Sequence, residues 1–306
     1  MNQLNDILDA QEVSVVTVNN TAYVGSDEVA PPASGSDSVA VGKRTTSTTM
    51  TCAPVPQQIN VTVTCTVVVT DTDTGSKSDP LGVVTFTSDN PSGIFAPTSC
   101  TLVSDGNPLT FTSSCVVTYK TPNPNVDLLI ANYQGSTLHL PSSSDKVMTV
   151  FYDPSAGFVT GGGYILQTAD MNPTGPVGTK ANYGFNAKYK SNSNSTTLQG
   201  EVEFQFKPNL NFHSTTLDWL LVTMTGTPYR AQIQGSGTVN GAGNYGFLLT
   251  VTDGGQNDTF RIKIWNKADP LNQPVVTTYI YDDEPGRADN TYPLVPGTGG
   301  NIVIHK

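Results

Sequence analysis

The sequence predicts an all-β protein, an immunoglobulin-like β-sandwich followed by a second, jelly-roll-like antiparallel β-sandwich. Three observations carry that expectation. Apolar residues recur at every second position in many short runs, the period of a strand with one buried face. Clusters of Gly, Pro, Asn, Asp and Ser separate the runs at intervals of about 8–12 residues, as in β-sandwiches. No stretch carries the period of an amphipathic helix, which is about 3.6 residues.

Composition supports this reading. Charged residues make up 13% of the 306 positions, about half the usual share of roughly 25%. The hydrophobic share of 37% fills a core when it is spread over alternating strands. The net charge of −10 weighs against nucleic acid, because neutralising phosphates takes clustered Lys and Arg. It weighs equally against anionic membranes. No span approaches the roughly 20 apolar residues of a transmembrane helix, so no membrane insertion is expected. Residues 1–6 have neither a basic start nor an apolar run, unlike a signal peptide. The expectation is a leader removed from the chain, with leaderless delivery, as for a virion component, as the alternative.

The first run is Glu12–Val18, with Val13, Val15, Val16 and Val18 in it, and Tyr23 continues it. Residues 27–43 are rich in Pro, Ser, Gly and Asp, a linker composition. A strand cut off by a linker is unstable alone. It packs on its own domain, or is the remnant of a preceding one, or it is a donor that completes the sheet of a neighbouring subunit. Residues 1–44 are therefore set apart as an N-terminal strand and linker.

Residues 45–153 follow as the first sandwich. Strand-like runs cover 47–52, 60–71, 82–88, 100–103, 115–120, 128–133 and 147–152, with turn signals between them. The four cysteines, Cys52, Cys65, Cys100 and Cys115, form two close pairs without C-x-x-C spacing or a His cluster. They read as disulfides Cys52–Cys65 and Cys100–Cys115, each stapling neighbouring strands, and imply an oxidising, extracellular or cell-surface compartment.

Residues 154–306 form the second sandwich. Ala181, Tyr183, Phe185, Ala187 and Tyr189 share one face, as do Val202, Phe204 and Phe206, and Tyr245, Phe247, Leu249 and Val251. Leu217, Trp219 and Leu221 follow the same two-residue step, and further runs lie at 229–234, 260–265, 275–281 and 302–305.

Two family resemblances rest on these residues. The stretches TCTVVVTDTDTG (64–75), GVVTFTS (82–88), FAPTSCTL (95–102), SCVVTY (114–119) and IANYQGS (130–136) resemble, in order and spacing, the bacterial Ig-like repeat domains of large secreted and cell-surface proteins. The match covers about residues 45–152 and implies a structural and adhesive module without catalytic residues. The stretches FVTGGGYI (158–165), ANYGFNAKYK (181–190), VEFQFK (202–207), NFHST (211–215), GSGTVNGAGNYGF (235–247), FRIKIW (260–265) and IVIHK (302–306) resemble the post-COAP domain that often closes such proteins. That resemblance implies the C-terminal end of a secreted repeat protein.

No residue pattern announces catalysis. There is no G-x-S-x-G elbow and no H-E-x-x-H helix. His139, His213 and His305 lie in different regions, and His213, beside Ser214, reads as a locally bonded strand histidine. Glu201 and Glu203 sit opposite Val202 and Phe204 and read as solvated. Gly161–Gly163 lacks the Lys-Ser/Thr ending of a phosphate cradle and reads as a bulge or tight turn. The chain is therefore expected to be non-enzymatic, with no required cofactor.

Two ligand classes remain. Short carboxylates in turns, Asp71 and Asp73 with Asp79, and Asp253 with Asp258, supply hard oxygens of the kind calcium takes. Trp265 falls in phase with Arg261 and Lys263, so it reads as an exposed aromatic suited to a glycan. The functional expectation is an extracellular structural or adhesive protein that associates with itself or with other surface proteins, as a filament subunit joined through Val13, Val15, Val16, Val18 and Tyr23. A carbohydrate-binding module and a virion surface protein are the alternatives.

Overall fold

The structure is a computed structural model. It describes residues 15–26, 29–107, 109–171, 176–192, 195–224, 226–269 and 278–305. Val13 and residues 275–277 of the run at 275–281 lie outside the described residues. Strand is the dominant regular structure of the described chain, with a single 3₁₀ turn at Gly255–Asn257 among the described residues. The all-β reading holds. Two compact units emerge, one from residues 1–54, 62–120 and 127–148, the other from 55–61, 121–126 and 149–306.

The chain begins with a hairpin. Strand β1 (Val15–Ser26) pairs antiparallel with β2 (Val29–Gly42), from Val15↔Gly42 to Ser26↔Val29. The linker expected at 27–43 is thus a strand over most of its length. Pro31 and Pro32 fall where the register jumps between Val24↔Ala33 and Ser26↔Val29. A proline there is tolerated because the bulge asks for no ladder N–H.

The immunoglobulin-like strands follow as β3 (Thr46–Ala53), β4 (Gln57–Gln58), β5 (Val63–Asp71), β6 (Val83–Ser88), β7 (Ile94–Ala96), β8 (Ser99–Thr101), β9 (Val103–Ser104), β10 (Thr112–Lys120), β11 (Asn125–Tyr133), β12 (Ser142–Ser143) and β13 (Val147–Tyr152). One sheet runs β3-β5-β10-β7 and the other β4-β13-β11-β6-β8. Setting aside the short end strands β4 and β8, the order matches the A-B-E-D over G-F-C arrangement of immunoglobulin sandwiches. Strict alternation builds it. Val63, Cys65, Val67 and Val69 of β5 are buried, as are Cys115, Val117 and Tyr119 of β10, with Thr64, Thr66, Val68, Val116 and Thr118 alternating on the other face. Both expected disulfides are present. Cys52–Cys65 joins directly opposed residues of one sheet. Cys100–Cys115 ties β8 to β10, and so one sheet to the other.

The second unit is one nine-stranded sheet of β14 (Phe158–Leu166), β15 (Lys180–Asn192), β16 (Ser195–Phe206), β17 (Leu210–Thr223), β18 (Tyr229–Val239), β19 (Ala242–Asp253), β20 (Thr259–Asn266), β21 (Tyr281–Asp282) and β22 (Thr298–His305). Its order, β21-β20-β19-β18-β17-β16-β15-β14-β22, follows the chain except for the last strand. A jelly roll would interleave its strands as Greek keys, so the connectivity is a meander. The sheet curls so that its halves face each other. Tyr183 of β15 stacks on Phe260 of β20 at 4.1 Å, and Phe204 of β16 lies 4.8 Å from Tyr281 of β21. The alternating residues of β15, β16 and β19 line this core, as the period of two predicts.

Two local features redirect the alternation. In β17 a bulge separates Leu217↔Gly235 from Trp219↔Gln234. The extra residue reverses the phase. Leu217 packs on the main core, while Trp219 and Leu221 turn to the other face, so the three do not share one face as the spacing predicts. In β14 the run Gly161–Gly163 sits mid-strand, with a bulge against β22 between Gly162 and Tyr164. A Cβ on Gly161 would come within 2.4 Å of the Phe185 ring, so only glycine lets that ring lie over β14.

Candidate functional site

The N-terminal hairpin is the feature with least structural explanation inside the chain. Twelve residues of β1 and fourteen of β2 form a sheet of their own. At about 3.4 Å per residue that ribbon is roughly 40 Å long, and among the described residues nothing pairs with the outer edge of either strand. Residues 19–23 and 34–38 are exposed, Tyr23 at 72%. Val15, Val16 and Val18 of the expected donor strand lie within β1, already paired on one side by β2. A lone two-stranded ribbon is marginal in water.

The aspartates expected to hold calcium serve the backbone instead. Asp258 is 6% exposed. Its Oδ1 accepts from Gly254 N (2.9 Å) and its Oδ2 from Ile302 N (2.7 Å), while Asp253 Oδ2 accepts from Ile304 N (3.0 Å). The amides of Ile302 and Ile304 belong to β22, the end strand of the sheet. The two carboxylates therefore cap an edge that would otherwise offer bare N–H groups. The same region is closed by backbone bonds from Phe260 N to Val295 O and from Gly297 N to Asp258 O, each 2.9 Å.

Asp71 is fully buried. It accepts from Asp73 N (2.9 Å) and Ser78 N (3.0 Å), and His139 Nε2 lies 3.3 Å from its Oδ2. Arg44 Nε stands 3.8 Å away. Asp73 caps Gly75 N at 3.0 Å, which pulls its carboxyl below the usual range, and Asp79 accepts from Ser104 Oγ. Among the described residues no three His, Cys, Asp or Glu side chains gather as a metal-binding group. These turn carboxylates are engaged by nearby amides and a hydroxyl, the ordinary role of Asp in turns.

Sequence reading missed the polar node around His139. Ser136 Oγ lies 3.1 Å from His139 Nδ1, and Nε2 faces both Asp71 Oδ2 and Ser78 O (3.1 Å). Both partners of Nε2 are acceptors, so that nitrogen is the one placed to donate. The line Ser136–His139–Asp71 has the composition of a hydrolytic triad but is arranged as a structural lock. His139 is 2% exposed, and Ser136 Oγ is taken up by Leu138 N and His139 N. Asp71 and His139 are 68 residues apart, and no spacing in the sequence links them. His213 pairs with Glu203 at 3.1 Å, both about half exposed, as a locally bonded strand residue. His305 stacks on Phe158 at 4.0 Å.

Trp265 is buried, at 9% exposure, which corrects its reading as a glycan platform. Its phase with Arg261 and Lys263 is as read, but the outer face of the curled sheet is itself covered. Trp265 packs with Trp219, Leu221, Leu248 and Val150, and with Val126 and Tyr279 partly buried beside them. Further along that face residues 282–295 form a strap over Arg230, Gln232, Arg261 and Lys263. Arg261 makes a two-pronged pair with Asp282 (3.2 and 3.1 Å) and donates to the carbonyls of Glu284 and Arg287. Gln232 Nε2 donates to Asp289 O, Arg230 to Asn290 O, and Lys263 Nζ meets Asp289 at 2.5 Å.

Asp283, at the start of this strap, is 3% exposed, with Oδ1 accepting from Ile262 N at 2.7 Å. Its Oδ2 has no hydrogen-bond partner among the described residues. Burial, with Asp282 and Glu284 beside it, pushes its carboxyl well above the usual range, against the pull of the Ile262 amide.

Comparison with family models, curated proteins and solved structures finds no match to this chain.

Proposed function

We propose that the chain is an extracellular structural protein that works by joining to further copies of itself, with the hairpin β1–β2 as the joining arm. The observation that carries this reading is the hairpin itself, a long ribbon in its own sheet with both outer edges unpaired among the described residues. Such edges take up strands from another chain by main-chain hydrogen bonding. Two disulfides support the oxidising compartment. The titratable groups that draw attention as acids or bases, Asp71, His139, Arg261 and Asp282, are committed to structural bonds. The resemblance of residues 45–152 and 157–306 to modules of secreted repeat proteins fits the same reading. It differs from simple donor-strand insertion, because β1 arrives already paired, so the join is edge to edge.

The test compares the whole chain with a variant lacking residues 15–42, by light scattering over a concentration series and by negative-stain microscopy. The hairpin pairs with no other described strand, so its loss leaves the disulfide-tied sheets in place; circular dichroism and non-reducing mass check this. Concentration-dependent oligomers of the whole chain and a monomeric variant are expected. A whole chain that stays monomeric throughout overturns the proposal, as does a variant that assembles equally well.

A further inference from the structure

The reading above leaves open where the arm lands. The sheet ends differ sharply in what they offer. Strands β4 and β21 are two residues long and β7 and β8 three, too short to template a partner. The long end strand β22 has its outward amides at Ile302 and Ile304 occupied by Asp258 and Asp253. That leaves β3, an eight-residue end strand.

The backbone polarity of β3 follows from its disulfide. Cys52 and Cys65 face each other directly with Cα atoms 4.0 Å apart. That spacing marks a non-hydrogen-bonded antiparallel pair, since bonded pairs stand about 5.5 Å apart and non-bonded ones about 4.5 Å. Bonded and non-bonded pairs alternate, so Ser47, Thr49 and Thr51 spend their N–H and C=O groups on β5. The bond from Thr72 N to Thr45 O, 3.0 Å, has the same phase. The groups of Thr48, Met50 and Cys52, and of Thr46 at the strand's start, point the other way, to the outer edge. Just before β3 this edge is taken by residues 138–140, with Arg44 N donating to Leu138 O and Leu140 N to Arg44 O, each 2.8 Å; from Thr48 to Cys52 no strand pairs with it among the described residues. The side chains beside it are Ser47, Thr49 and Thr51, all exposed and uncharged. The lysines, prolines and inward-turned charges that usually blunt an edge are absent from β3.

We propose that the outer edge of β3 is the receiving site for the hairpin arm of a second copy of this chain, which extends the β3-β5-β10-β7 sheet by two strands. This rests on the assembly reading above. The occupant fits in length, since β1 and β2 exceed the eight residues of β3. It fits in character, since main-chain pairing with a row of small hydroxyl side chains needs no apolar pocket.

Residue-resolved hydrogen exchange of the whole chain tests the assignment, at concentrations below and above assembly. The amides of Thr48, Met50 and Cys52 are expected to exchange freely in the monomer and at least about tenfold more slowly once assembled. Those of Ser47, Thr49 and Thr51 are expected to be protected in both states. Thr49→Lys with Thr51→Lys, exposed positions that leave the core untouched, is expected to weaken assembly by about tenfold or more by blunting the edge. Assembly that depends on residues 15–42 but leaves the three outward amides fast overturns β3 as the receiving edge and leaves the arm's role standing. Protection of those amides at every concentration overturns it too, because the arm then folds back on its own chain. A whole chain that never assembles overturns both proposals.

Discussion

Replacing Asp258 by alanine separates an edge cap from a calcium ligand. The carboxylate accepts from Ile302 N at 2.7 Å and Gly254 N at 2.9 Å. A charged acceptor makes each such bond worth about 1.5–3 kcal/mol, and a buried amide left bare costs about 1–3 kcal/mol. The Ile302 amide is buried and carries the larger share; the Gly254 amide is partly buried and reaches water more easily. The sum is about 3 kcal/mol. For a unit of about 150 residues each kcal/mol moves the melting temperature by roughly 2–4 °C, so a fall of about 6–12 °C is expected. Both tryptophans of the chain, Trp219 and Trp265, lie in this unit, so their fluorescence follows its unfolding alone. Asp258→Asn keeps one acceptor oxygen and is expected to fall between alanine and the original. The wild-type transition is expected to be the same in calcium and in chelator. A loss under about 1 kcal/mol, or a wild-type melting temperature that rises with calcium, refutes the edge-cap reasoning.

Two further outcomes follow from the covered outer face. Burial, with Asp282 and Glu284 next to it, raises the folded pKa of Asp283 well above the ordinary 3.8. Its contribution is therefore complete below that value and is lost as pH rises toward the folded pKa, since the unfolded chain releases the proton first. The groups around it, Arg261, Lys263, Arg287 and Asp289, stay fixed in Asp283→Asn, so melting temperatures of the variant are expected to fall less between pH 5 and pH 8 than those of the original; equal slopes count against it. Trp265→Ala empties the middle of the Trp219, Leu221 and Leu248 cluster and is expected to cost about 3–5 kcal/mol by calorimetry, while a change under about 1 kcal/mol would mean the indole is exposed after all.

Much of the fold was legible because strand periodicity is local. The alternation in β5, β10, β15, β16 and β19 stands in the sequence as written, and the cysteine spacing gave both disulfides. The bulge in β17 was not legible. One inserted residue costs nothing in composition, yet it sends Trp219 to the face opposite Leu217. The strand at 29–42 was hidden by its own prolines, whose place in a register jump only the pairing partner reveals.

The sequence by itself determined the class of structure, the phase of most strands and the covalent staples, all of which depend on neighbours a few residues apart. Only the tertiary structure decided what each polar or aromatic side chain meets. Trp265 is covered because residues far along the chain close over its face. Asp253 and Asp258 cap an edge that meets them only once the sheet has curled around to bring β22 beside the end of β19 and the turn after it. Exposure and hydrogen-bond partnership are properties of the packed whole, set by contacts between distant segments, and a period of two says which face a residue takes but not what lies over that face.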